Sequence, residues 1–409
     1  MRILIVSPWL PHQNSFHAGG QHIHQIVRWL SARYEVYVLG YGWDEDAAEL
    51  ASLRELCEGV TVVWPAYRLG QKFNQLIQGG WLHPWRLGRR THHEVTRHIH
   101  AYCQNHAIDV VHLAWTEMGR YHQYIPQQVA TVLGTLDVEH QVRPREVDLY
   151  PPGRQKRQAR RRAHTLTQIE AASVRVADAI LACSAHDASS LAHLAGHDRV
   201  FIVPPWINAE RMKRYADRPP SPGRITFVGA MDRIANSNAA SFLIDAVWPG
   251  VIAHHPGAKL VIGGAYPPDW LLEKAASVQN VEVTGLRDDI AALWPETDIA
   301  VSPSFIGGGM LVKVAQPMAA KRPVVTTSLG NQGVGAPPGE AAYIADDAPS
   351  FRAAVNHLLA NRQERDRLAV AGFEYIHHQL NWERSMARLL AAYDCAIKQQ
   401  RLRTPGVCP

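Results

Sequence analysis

Apolar residues along this chain fall into short continuous runs, separated by stretches in which they recur every three to four positions. In the first half the runs are Arg2 to Ser7, Val36 to Leu39, Val60 to Val63, Val110 to Leu113, Val129 to Leu133, Asp178 to Ser184 and Val200 to Val203. Runs without alternation predict strands covered on both faces, as in a parallel sheet. Between them, Gln21 to Ala32 sets Ile23, Ile26, Val27 and Leu30 on one side of a helix, after a loop from Pro8 to Gly20. Ala47 to Glu58, Val95 to His106 and Asp187 to Ala195 also read as helices, and the basic run Arg154 to Arg162 leads into a helical stretch from His164 to Ala177. The opening strand, helix and strand make a βαβ unit.

Ala209 to Gly223 is polar, charged and proline-rich, and reads as a linker. The alternation then restarts with strands at Arg224 to Gly229, Lys259 to Gly263, Val281 to Thr284, Asp298 to Val301, Val324 to Thr327 and Ala342 to Ala345. Helices are expected at Asn238 to Val247, Trp270 to Ala276, from Asp288, and over Met310 to Ala320, which is helix-tolerant apart from Pro317. Three more helices follow, Ser350 to Ala360, Arg362 to Gln379 and Trp382 to Gln399. The pattern predicts an α/β protein of two doubly wound parallel sheets, which 409 residues are enough to furnish with cores. The expected boundaries are a first domain over 1–208, the linker 209–223, a second domain over 224–379, a last helix over 380–401 and a flexible tail over 402–409.

Composition narrows the class. A net charge of +5 gives no strong case for nucleic acid. Five scattered cysteines without a CxxC pair indicate neither a disulfide framework nor a zinc site. His12, His17, His22 and His24 crowd one region without carboxylates or cysteines at ligand spacing, so no metal is expected there. No stretch has the apolar length of a signal peptide or membrane span, so the expected location is cytoplasmic, with peripheral attachment at the inner face of the membrane as the alternative. Trp81 and Trp85 beside Arg86, Arg89 and Arg90 suit either an anionic interface or domain packing.

Ala300 to Gly335 carries the chemistry. A strand breaks at Ser302-Pro303-Ser304 into Gly307, Gly308 and Gly309, followed by Met310, a helix and a second strand ending near another glycine-rich turn. A glycine loop opening a helix turns unpaired N–H groups toward an anion, most commonly phosphate, although a plain tight loop gives the same pattern. Arg154 to Arg162 places cations where they oppose a helix dipole, which suggests an anionic partner.

Pro303, Gly307, Gly309, Lys313, Met318, Ala319, Pro323, Val324, Val325, Thr327 and Gly330 fall, in order and spacing, on a pattern that resembles the donor site of the retaining GT-B glycosyltransferases of family 4. The likeness extends through "VGAMD", "HPGAKLVIGG", "VEVTGLRDDI" and "DIAVSPS". It implies two Rossmann-like domains facing each other across a cleft, the last helix crossing back to the first. It implies a nucleotide diphosphate sugar as donor, a UDP-sugar favoured and a GDP-sugar second, with no metal or other cofactor. The acceptor is a glycan, a lipid-linked sugar or a small natural product, and the oligomeric state stays open.

By the same resemblance, Gly19 and Gly20 approach the donor phosphates ahead of the first helix, Gly229 sits against the diphosphate, and Gly285-Leu286 lies against the base. Lys313 is the main cation, with Arg233 and Arg287 as weaker ones, beside the loop Gly307 to Met310. Gln316 stands where the family places a ribose-binding glutamate, and Pro317 replaces an alanine. In the first domain Asp137 and Glu139 fit an "HDxE" motif, Leu136 takes its histidine position, and His140 follows four residues on. Ala230 and Asn236 stand near positions where relatives carry cations. Two other readings remain: a GT-B nucleotide-sugar epimerase, and a catalytically degenerate GT-B scaffold or binding subunit.

Overall fold

The run Ile3 to Val6 lies in an interior strand of a seven-stranded sheet in the computed structural model, which describes residues 1–13, 15, 18–42, 47–64, 89–287 and 289–403. Its strands are β1(Arg2–Ser7), β2(Glu35–Tyr41), β3(Gly59–Val63), β4(Val110–Ala114), β5(Ala130–Gly134), β6(Ala179–Ala182) and β7(Val200–Ile202). They lie in the order β3-β2-β1-β4-β5-β6-β7, and all pairs are parallel. Leu4 and Val6 point into one apolar cluster, Ile3 and Ile5 into another, which is why this strand shows no alternation. The chain leaves β1 toward β2 on one side and resumes at β4 on the other, so a topological switch point lies between β1 and β4.

The helices of this unit are α1(Ala18–Ser31), α2(Ala47–Leu56), α3(Arg89–Asn105), α4(Glu139–Leu149), α5(Arg154–Val176) and α6(Ala185–Ala195). Helix α1 begins ahead of the expected start, so Gly19 and Gly20 lie inside its first turn rather than before it. The close approach of Trp115 and Leu136 explains the glycine at 19, where a Cβ would come within 2.5 Å of the indole. Helix α5 takes in the whole basic run as one element.

The second sheet has six strands, β8(Arg224–Val228), β9(Lys259–Gly263), β10(Val281–Val283), β11(Ile299–Ser302), β12(Val324–Thr326) and β13(Tyr343–Ile344), ordered β10-β9-β8-β11-β12-β13 and again parallel. Its helices are α7(Ala209–Ala216), α8(Ile234–Phe242), α9(Trp248–Ile252), α10(Asp269–Ala276), α11(Val312–Ala319), α12(Ser328–Asn331), α13(Ala348–Ala360) and α14(Arg362–Gln379). A π-helical turn at Leu243–Val247 joins α8 to α9. The helix expected from Asp288 is a short 3₁₀ segment, Ile290–Glu296, capped by Asp289.

Helix α7 occupies the stretch read as linker. The Asn208 side chain caps it by accepting from the Arg211 N–H at 3.1 Å, and Met212 is buried beneath it. Its charged composition marks an exposed face rather than an unstructured connection.

Chain contacts group the protein into two units, Met1–Pro144 with Gly153–Trp206 and Trp382–Pro409, and Arg145–Pro152 with Ile207–Asn381. The last helix, α15(Trp382–Arg403), is thus part of the first unit, where it buries Met386, Leu389, Ala392, Tyr393 and Ala396. The stretch carrying Trp81 and Trp85 lies outside the described residues, as do His17 and the tail beyond Arg403.

Candidate functional site

In the second unit, Gly229, Gly285 and the loop from Gly307 to Met310 follow the carboxyl ends of β8, β10 and β11. Doubly wound sheets bind ligands at that edge. Lys313 is in the first turn of α11, and its ammonium donates to the Asn236 side-chain oxygen at 2.9 Å. Asn236 in turn donates to the Ala230 carbonyl at 2.8 Å. A Cβ on Gly229 would lie 2.8 Å from the Asn236 amide carbon, so glycine there makes room for the asparagine that holds the lysine.

The Lys313 ammonium also sits 5.3 Å from the centre of the Phe227 ring. Burial, and after it the neighbouring Arg233, push its pKa down to about 8. Among the described residues neither Lys313 nor Arg233 forms an ion pair with a carboxylate. Asp232 lies close enough to Arg233 to feel its charge, whereas the desolvated Lys313 ammonium has a neutral partner beside a glycine loop, a site that an anion completes.

The loop itself is fixed from below. Thr327 Oγ1 donates to the Ser304 carbonyl at 2.6 Å and accepts from the N–H groups of Ser304 and Gly330. Gly309 has φ +64°, and a Cβ on Gly333 would meet the Gly309 carbonyl oxygen at 1.9 Å, so two glycine-rich turns touch backbone to backbone. No side chain caps the start of α11, which leaves its N–H groups toward this loop. Met310 is buried.

Gln316 turns elsewhere: its oxygen accepts from the indole N–H of buried Trp294 at 3.3 Å. Gly285 has φ +67° with open space where a Cβ would be, and Leu286 beside it is 65 % exposed. The structure thus gathers Gly229, Arg233, Lys313 and the glycine loop, and leaves Gly285 and Leu286 further along the same edge. Asn236 was legible only as the absence of a cation, and its role as a bridge depends on β8 and β11, the strands that lead into α8 and α11, being neighbours in the sheet.

In the first unit, Asp137 lies between β5 and α4, and Glu139 and His140 open α4. Buried Glu170 of α5 accepts from the backbone N–H of Glu139 at 2.7 Å and of His140 at 2.9 Å. It also meets His140 Nδ1 at 2.6 Å, so this ring nitrogen donates to the carboxylate. Nε2 lies 3.1 Å from the Ser190 hydroxyl, which accepts from the Gln141 amide at 2.6 Å. Glu139 is buried and paired with Arg143. Burial, reinforced by Glu139, raises the pKa of Glu117.

Sequence reasoning did not single out Glu170 or Ser190. The available signal was a lone acid four residues after Leu166 on the buried stripe of a basic helix. Gly19 lies under Trp115 and Leu136. Those two residues, with His22, His112, Thr135 and Cys183, line a small cavity. Burial lowers the pKa of His22 to about 4; burial and then His22 lower that of His112 to about 3, so both rings are neutral.

Among the described residues no cluster of three or more His, Cys, Asp or Glu is placed to hold a metal, and no helix is long and apolar enough to cross a membrane.

Residues 222–361 match the family described as Glycosyl transferases group 1. A curated relative, an uncharacterised 44.6 kDa protein in the cps region of Klebsiella pneumoniae, is 26% identical over 159 residues, 37% of this chain. The match spans 41% of that relative's length. Among solved structures, sucrose-phosphate synthase from Thermosynechococcus elongatus is similar with a TM-score of 0.72 at 15% identity, covering 96% of this chain and 98% of its own. Anabaena HepE in complex with UDP and glucose is similar with a TM-score of 0.65 at 12% identity, covering 96% and 99%. At these identities the likeness is one of fold.

Proposed function

From a chain of the GT-B fold whose residues 222–361 match the group 1 glycosyl transferases, we propose a glycosyltransferase that moves a sugar from a nucleotide diphosphate sugar to an acceptor hydroxyl, with retention at the anomeric carbon. The observation that carries this reading is the desolvated Lys313 ammonium, held by neutral Asn236 with Arg233 beside it, next to the Gly307 to Gly309 loop. As the bond from the anomeric carbon to the diphosphate breaks, negative charge grows on the leaving phosphate. Donors already fixed in place stabilise that charge more in the transition state than in the ground state. Lys313, Arg233 and the uncapped start of α11 fill this role, and Gly229 lets the chain approach the diphosphate.

A UDP-sugar is the first choice of donor, from the ligand named for the HepE structure, and a GDP-sugar the second. On the acceptor side, His140, oriented by Glu170 and with Nε2 against the Ser190 hydroxyl, is the unit's candidate partner for a hydroxyl. A glycan or a lipid-linked sugar is the first choice of acceptor class.

A second reading, a nucleotide-binding scaffold without transfer activity, draws on Gln316, whose oxygen is engaged by Trp294. Calorimetry with UDP, GDP, ADP and dTDP on the wild type and Lys313→Ala, followed by transfer assays with the sugar series of the nucleotide that binds, separates the two. The expected result is selective binding weakened about 10- to 100-fold by the substitution, the range for a lost charge-assisted hydrogen bond, with turnover in at least one sugar series. Binding without turnover favours the scaffold, and no binding by folded protein overturns both.

A further inference from the structure

Helix α5 has 23 residues, roughly 35 Å at 1.5 Å per residue, whereas the strands beside it, β5 and β6, have 5 and 4 residues. Its buried side chains begin only at Ala163 and continue through Leu166, Glu170, Ser173 and Val174. Residues 154–161 bury no side chain, and burial begins with the Nε of Arg162. The first part of α5 therefore overhangs the core of its own unit. It does so on the carboxyl side of the sheet, because a helix returning to the parallel strand β6 starts there.

This overhang is made of charge. Arg157, Arg160, Arg161 and His164 are spaced i, i+3, i+4 and i+7, so they share one face, and all four are exposed. They line one shallow notch on the outside of the helix, with no residue of another element in its wall. Arg157, Arg160 and Arg161 have no ion-pair partner among the described residues, and the first turn of the helix contains no acid. Three like charges one turn apart repel one another, and at a helix start they also oppose the macrodipole. Neither helix stability nor packing accounts for the stripe.

We propose that this face of α5 is a docking surface for anionic phospholipid headgroups, so that the protein adsorbs reversibly to a negatively charged bilayer through the first unit. The geometry favours a surface over a soluble anion. The notch has no second wall to desolvate a small ligand, while a plane of phosphates engages all the guanidinium groups at once. No apolar side chain lies in the stripe, so adsorption is electrostatic, without insertion, and weakens with salt. Three arginines at such a surface strengthen partitioning on the order of 100-fold.

The test is co-sedimentation of the full chain with phosphatidylglycerol–phosphatidylcholine vesicles and with pure phosphatidylcholine vesicles, for the wild type and for Arg157→Gln/Arg160→Gln/Arg161→Gln. Glutamine keeps helix propensity, and removing the repulsion should leave the melting temperature unchanged or slightly raised, so a folding defect is not expected to obscure the result. Wild-type binding to the anionic vesicles alone, reversed by salt and reduced on the order of 100-fold in the variant, supports the proposal. Equal partitioning of the two proteins overturns it. So does wild-type binding of inorganic pyrophosphate or single-stranded RNA, lost in the variant, without vesicle binding. Nucleoside diphosphate binding at Lys313 is read separately on the same variant and is expected to be unchanged.

Discussion

Lys313 shows how one side chain is tuned by its neighbours. Burial of its ammonium, and after it the charge of Arg233, hold its pKa near 8, while neutral Asn236 accepts its hydrogen bond. A lysine whose folded pKa lies below its unfolded value binds fewer protons folded than unfolded between about 8 and 10.5. Folding stability from this group therefore rises with pH across that window. Anion binding moves the other way, since it needs the charged form. We expect nucleoside diphosphate affinity to fall as pH is raised through about 8, and to lose most of that dependence in Lys313→Ala, by calorimetry at several pH values.

The residues legible beforehand at this scale were those whose chemistry is local: the glycine loop, the lysine after it and the strand-end glycine at 229. Asn236 and Glu170 were not, because each acts on a residue at least 30 positions away in the chain.

At the scale of elements, Glu170 couples two helices. It lies in the buried part of α5 and accepts three hydrogen bonds at the start of α4, where its charge also complements the dipole. Glu170→Gln keeps the shape but sets an amide N–H₂ against these donors. A loss of about 1–3 kcal/mol is expected by urea denaturation. Nucleotide binding in the second unit should persist, and any transfer activity should show a raised acceptor KM because His140 loses the carboxylate that orients its ring.

Helix α7 teaches a related lesson. Its face toward solvent is charged enough to read as linker, yet Asn208 caps it and Met212 anchors it. Helix α1 starts earlier than its apolar periodicity indicates, and Gly19, ahead of that stripe, is packed under Trp115.

For the whole molecule, the arrangement of the chain matters more than its order. The last helix, α15, belongs to the first unit although 175 residues of the second unit, Ile207–Asn381, precede it. Tyr393 is fully buried there, and its hydroxyl meets His112 Nδ1 at 2.9 Å. Deleting residues from Trp382 onward would strip Met386, Leu389 and Tyr393 from the first unit's core and leave the buried His112 without its partner. Core truncations of one such residue cost about 2–5 kcal/mol. We expect differential scanning calorimetry of the truncated chain to lose the transition of the first unit while nucleotide binding by the second survives.

The sequence by itself determined the class of each half. Unbroken apolar runs require sheets covered on both faces, and helical periodicity between them requires parallel crossovers, because these signals arise from backbone geometry and burial within a few residues. It also determined where an anion could be met, since a glycine loop before a helix leaves N–H groups unpaired whatever surrounds it. Tertiary structure alone decided which side chains complete those sites. Strand order brings Asn236 to Lys313, α5 brings Glu170 to His140, and the length of α5 beyond its core exposes an unpaired basic stripe. These are contacts between residues distant in the chain, and no local pattern of hydrophobicity or spacing encodes them.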